Sequence, residues 1–245
     1  MSHVSLPVIL EPENSDLAVA LLKDYFVPPD GVGSDFKGAC FEHIGREWND
    51  MRYVNRVTAS DIVAVSCLDV DIPANASIAL LGVDTEPVSD LLAQIPVDLD
   101  LWNATDDEIG PRSALFALWR YLRRYSGVGQ STTSKIIARK RPRLAPVFDA
   151  VIATELGLRD AGGHWQLMRD LLNSGGSAPL HLQLTALGQR AGLNMERITP
   201  LRVFDVAVWY FGNPKLTKRV KWVAADHGAV VPVHPTPEDG FAATF

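Results

Sequence analysis

Apolar residues recur every three to four positions along most of this chain, and strict alternation is scarce away from its two ends, so the periodicity predicts helices. Over 15–26, Leu17, Leu21, Leu22 and Tyr25 form an inward stripe. Further helices are predicted over 60–68, 87–94, 131–139, 150–156, 165–173 and 180–191, with Gly157, Gly162-Gly163, Gly175-Gly176 and Gly192 as punctuation. A last strong helix begins at Thr199-Pro200, a good N-cap followed by proline at the first helical position. Over 113–125, Leu115, Leu118, Leu122 and Tyr125 occupy one side and Arg120, Arg123 and Arg124 the other, which points the arginines at solvent or a ligand. The expected fold is mainly α, over residues 1–222, with an extended Pro/Gly-rich tail over 223–245. No internal repeat is evident, and the GVG at Gly31–Gly33 has no helix behind it and reads as a turn.

At 245 residues and 47% apolar composition, the chain can bury a core as one large domain or two intimate lobes. No apolar run approaches the ~18–20 residues that cross a bilayer, and the N-terminus lacks the pattern of a signal peptide, so a cytoplasmic protein with no membrane association is expected. Cys40 and Cys67 are too few for a disulfide framework or a four-cysteine cluster and are expected to be buried thiols. His227 and His234 are too isolated to argue for a metal; no metal or cofactor is expected.

Charge changes the picture more than composition does. The net charge is −6, yet between Pro111 and Phe148 there are nine Lys or Arg and no Asp or Glu, which leaves −15 on the rest of the chain. A segregated basic face on an acidic body is the footprint expected of a nucleic-acid site, although charge runs are often only solvated surface. Within it, Gly127-Val128-Gly129 fits a tight positive-φ hairpin that leaves backbone N–H groups free at the start of a helix to hold a phosphate; an ordinary helix-to-helix turn would use the same glycines. Ser131, Lys135 and Arg139 then share one helical face, with Ile136 and Ile137 turned inward. The expected DNA-binding residues are Gly127, Val128, Gly129, Ser131, Thr132, Lys135, Arg139, Lys140 and Arg141, with Lys135 facing solvent and pairing with phosphate. Asp149 closes the segment, either as a functional carboxylate or as the N-cap of the next helix.

Residues 126–158, through GVGxST, an apolar helix and PVxD, resemble the helix-hairpin-helix DNA glycosylases. The resemblance implies a two-lobed helical fold, double-stranded DNA as partner, a hairpin on the backbone phosphate, and a catalytic aspartate eighteen residues past the helix's first polar position. Ser131 to Asp149 is that spacing. In the family the position of Ser131 is a lysine in enzymes that also cut the strand, so Ser131 implies a base-excising enzyme that leaves an intact strand with an abasic site. The usual aspartate-threonine-histidine-valine is Asp149-Ala150-Val151-Ile152 here, Leu156-Gly157-Leu158 comes about one turn early, and the iron–sulfur cysteines of some members are absent. The chain also resembles bacterial proteins with similar TASDIVAVSCL and ARKRPRLAPVFD segments, which supply no activity.

An ionised carboxylate beneath the sugar would stabilise the oxocarbenium-like state of glycosidic cleavage or orient the attacking water. A glycosylase also needs an aromatic pocket for the extruded base. His43, Trp48, Tyr53 and Trp102 are the candidates for it, while Trp165 and Trp209 look structural. The expected function is that of a monomeric DNA glycosylase acting on damaged, mismatched or modified bases, in repair or in defence against viral DNA. The alternative is a non-catalytic helix-hairpin-helix DNA-binding protein; a nuclease is weaker, for want of a carboxylate cluster.

Overall fold

The computed structural model describes residues 5–26, 34–45 and 50–233, and among these every regular element is helical. In chain order the α-helices are α1 (Ser15–Phe26), α2 (Ala59–Ser66), α3 (Ala74–Leu81), α4 (Thr85–Ala93), α5 (Asp106–Ile109), α6 (Ala114–Arg123), α7 (Gln130–Lys140), α8 (Ala150–Glu155), α9 (His164–Asn173), α10 (Leu180–Arg190), α11 (Pro200–Gly212) and α12 (Thr217–Asp226). Helix starts follow their caps. Thr58 and Asp61 form a reciprocal capping box on α2, and the Thr199 hydroxyl accepts from the Arg202 amide ahead of α11. The GVG at 31–33 and His234 lie outside the described residues.

Three elements depart from the sequence expectation. α5 is a single turn that no apolar stripe predicts, and Glu108 accepts from the Thr105 amide at its start. α3 buries Ala76 and Leu80 but exposes Ile78 and Leu81, so its apolar residues form no single stripe that could announce it. α12 carries the chain as helix to Asp226, where the sequence predicts an extended tail from residue 223: Val220, Val223 and Ala224 are buried, and the helix packs on α1. The Pro and Gly content that suggests a tail begins only after it.

Two packing groups place the site. α11, an apolar helix with Arg202 and Asp205 among its buried residues, packs against α1, α8 and α10, while α7 packs on α2 and α6. Residues 141–149 therefore carry the chain from the α7 group to the α11 group, and Asp149 stands where they end. No described helix is long and apolar enough to cross a membrane.

His164, the first residue of α9, is 2% exposed, meets the Phe148 ring edge-on at 5.1 Å, and its Nε2 has no hydrogen-bond partner among the described residues. Burial lowers its pKa to about 3. The unfolded chain takes up a proton near pH 6.5 and the folded one does not, so stability falls as the pH drops from about 6.5 towards about 3, by up to about 1.4 kcal/mol per pH unit. His164→Phe should flatten that limb in urea denaturation at a series of pH values; an unchanged pH dependence would remove His164 from the explanation.

Candidate functional site

α6 and α7 are joined by a glycine hairpin. Gly127 takes φ +82°, the Val128 amide donates to Tyr125 O, and the Arg123 guanidinium donates to Val128 O at 2.8 Å. Gly129 is the N-cap of α7, and no side chain caps its first turn. Such a helix start keeps its amides for an anion. Gln130 Oε1 accepts from the Ala161 amide at 2.6 Å, which pins the start of α7 to the loop before α9.

The basic run that follows is not a surface. Lys135, Arg139, Lys140 and Arg141 are each 4% exposed or less, which overturns their expected place on a phosphate-binding face. The reason lies in the irregular segments they hold. Arg139 pairs with Asp61 at 2.9 Å and donates to the carbonyls of Phe41, Ile44 and Gly45. Lys140 shares Asp61 at 2.9 Å and donates to Tyr53 O. Arg141 serves the carbonyls of Leu92, Ile95, Val54 and Lys140 and the amide oxygen of Asn55. Buried carbonyls in irregular chain and at helix C-terminal ends need donors, and these cations supply them. Val128 and Thr132 are buried as well, leaving Ser131 half-exposed at the cleft described below. Of the other basic residues, Arg124 is held by Asp84 and Arg143 by Asp100, so the exposed basic residues of this segment that no described carboxylate holds are Arg112, Arg120 and Arg123, of which Arg123 reaches the hairpin.

Asp149 is the cap the sequence allows and also a cleft residue. Its Oδ1 accepts from the Ile152 amide at 3.0 Å as the N-cap of α8. It also lines a cleft of about 440 Å³ between the α7 and α11 groups. Ser134 fixes the approach, because its hydroxyl accepts from the Phe148 amide and donates to the Phe148 carbonyl, both at 3.0 Å. Ser131 and Lys135 of α7, Arg202, Asp205 and Trp209 of α11, Tyr25, and Phe36 share the cleft wall with it. Lys135 Nζ is 4.0 Å from Asp149 Oδ2.

Behind this wall lies a buried charge cluster. Arg202 donates to Glu42 at 2.7 Å, to Tyr25 Oη at 3.1 Å, to Gly38 O at 2.8 Å and to Asp205. A side chain at Gly38 would strike Tyr25 Oη, so the close approach there requires glycine. Burial raises the Asp205 carboxyl, with Arg202 opposing and the Asp149 charge adding to the rise. Burial likewise raises the Tyr25 hydroxyl to about 12, keeping it neutral.

The aromatics expected in the pocket are elsewhere. His43 is exposed beside Arg197, the Tyr53 ring lies against Arg52, and Trp102 stacks on His181 at 4.6 Å; none lines the cleft. Trp48 lies outside the described residues. Tyr25, Phe36 and Trp209 line the cleft instead, with Tyr25 stacked on Phe36 at 4.9 Å and edge-on to Trp209 at 6.0 Å. Trp209, which looks structural in the sequence, is thus a cleft residue. The readable signal is Arg202 and Asp205, two charges about one turn apart in an otherwise apolar helix. Cys40 and Cys67 are half-buried thiols, not core ones, and Cys67 also lines the cleft. Among the described residues no group of three His, Cys, Asp or Glu is placed to hold a metal.

Fold and site together define a helical protein with a glycine hairpin at an uncapped helix start and, beside it, a carboxylate-bearing aromatic cleft. Residues 18–212 match a family of unknown function, DUF6308, and the chain belongs to that family. The match takes in the hairpin, Asp149 and the cleft helices from within α1 to the end of α11. No curated protein and no solved structure matches the chain.

Proposed function

We propose that this protein is a DNA glycosylase of the helix-hairpin-helix type, which hydrolyses the N-glycosidic bond of an extruded base. The observation that carries the reading is the cleft beside Asp149: it is walled by Tyr25, Phe36 and Trp209 and reached by the first turn of α7 at Ser131. A backbone phosphate at the uncapped start of α7 would set the neighbouring sugar towards that cleft, and the aromatic wall gives an unstacked base a surface to rest on. Asp149, held by the Ile152 amide, would face the sugar as positive charge develops on it, where a fixed carboxylate is worth most. Capping and catalysis use different lone pairs of one carboxylate, so the two roles coexist. A purely DNA-binding protein would use the hairpin but has no need of the cleft.

The test is to incubate the protein with duplexes carrying damaged, mismatched or modified bases and to measure free base released. Release from at least one class is expected; none from any, with duplex binding intact, would favour the binding protein.

The burial of the basic run alters what DNA binding should depend on. Arg120→Glu with Arg123→Glu should weaken duplex binding and make its salt dependence shallower by about two ions, since each lost phosphate contact removes about one released counterion. Fluorescence anisotropy across a salt series measures it, and an unchanged slope would place the DNA away from this face.

A further inference from the structure

The segment 135–141 buries four cations, and three of them are fully engaged by a carboxylate or by several carbonyls. Lys135 is the exception. It is 4% exposed, but among the described residues its Nζ donates only to Leu68 O, at 2.8 Å, and the Asp149 carboxylate stands at 4.0 Å, beyond hydrogen-bond reach. Lys140, about one and a half turns on and just as buried, has Asp61 at 2.9 Å and a carbonyl besides. An ammonium has three donors to satisfy, so Lys135, with one carbonyl and a carboxylate at 4.0 Å, is held less completely as a cation than its neighbours are. Burial accordingly pushes the Lys135 ammonium down, opposed by Asp149, Asp205 and Asp69 and assisted by Arg202. Position separates it from its neighbours too, because Lys135 lines the cleft whereas Arg139 and Lys140, which hold Asp61, do not.

An amine stripped of water in a cleft is a nucleophile for a carbonyl carbon. The product of base excision contains one: the deoxyribose left behind opens from its hemiacetal to an aldehyde at C1′. We propose that Lys135 adds to this aldehyde, so that the protein cuts the strand after removing the base. The inference rests on the glycosylase reading above and goes against the intact strand that a serine at position 131 implies.

The steps balance without an outside oxidant or reductant. The Nζ lone pair forms a bond to C1′, and the C1′ oxygen, taking up one proton from the amine nitrogen and one from solvent, leaves as water to give a protonated imine. A C2′ proton passes to a carboxylate, a role for which Asp149 stands next to the amine. The C2′–H electrons form a C2′–C3′ double bond, the C3′–O bond breaks, and the 3′ phosphate leaves. Water then hydrolyses the imine, restoring the amine and releasing an unsaturated aldehyde. Ser131 has no part in the covalent chemistry.

The test uses the full chain and a duplex that already contains an abasic site, so that base removal is bypassed. Sodium borohydride should reduce the imine to a stable amine, and peptide mass spectrometry of the wild-type adduct should place it on Lys135. Lys135→Met and Lys135→Arg should both lose the adduct and the strand cut, and Arg keeps the charge in case Met disturbs folding. Free base released by the wild-type chain from base-containing duplexes is measured in parallel. An adduct on another amine, or a bound abasic duplex that gives no adduct on the timescale of excision, overturns the inference and leaves excision standing. Failure to bind the duplex together with failure to release any base removes the underlying reading and this inference with it.

Discussion

Asp149→Asn should lower base release by at least about 10²-fold, the scale on which a preorganised electrostatic group contributes to a charged transition state. Duplex affinity should stay within a few-fold. Asparagine is as good an N-cap as aspartate, so the bond to the Ile152 amide and the start of α8 survive. The loss falls on the charge alone. Single-turnover base release and anisotropy on the same preparation separate the two effects. Equal release by variant and parent would reduce Asp149 to a cap.

The second large effect is on stability. Asp61 is 3% exposed and accepts from Arg139 Nε and Lys140 Nζ, both at 2.9 Å, and from the amide and hydroxyl of Thr58 at 3.0 Å. Asp61→Ala leaves two buried cations without their carboxylate, and removing one partner of a buried pair costs about 3–5 kcal/mol. Loss of the capping box on α2 adds about 1 kcal/mol. Because Arg139 and Lys140 also anchor the carbonyls at 41–45 and 53, the irregular segment before α2 should loosen first. Urea denaturation with hydrogen exchange reads both; a loss below about 1 kcal/mol, the scale of the cap alone, would mean that the carbonyls suffice to hold the cations. For the same reason, reversing the charges of Arg139, Lys140 and Arg141 together should prevent folding, whatever its effect on DNA.

Most helices are legible in the sequence because their apolar residues lie on one side. α1 matches its sequence-based bounds, and α6 shows the expected division between Leu115, Leu118 and Leu122 inside and Arg120 and Arg123 outside. The hairpin and the cap at Asp149 are legible because glycine and aspartate are chosen there by local backbone geometry. What fails is the step from charge to exposure. Arg139, Lys140 and Arg141 read as surface because cations are rarely buried, and most of their partners, the carbonyls within 41–54 and 92–95, are backbone groups that leave no trace in the sequence. The cleft aromatics escape for a related reason. Tyr25, Phe36 and Trp209 come from distant parts of the chain and meet only when α11 packs on α1.

The most direct measurement is a structure of Asp149→Asn bound to a duplex with an abasic-site analogue. Expected are a backbone phosphate at the uncapped start of α7, the abasic sugar in the cleft within about 4 Å of residue 149, near the contact distance of a reacting group, and Tyr25, Phe36 and Trp209 around the space where the base would lie. DNA bound along the hairpin with its sugar outside the cleft, or bound to another face, would contradict it.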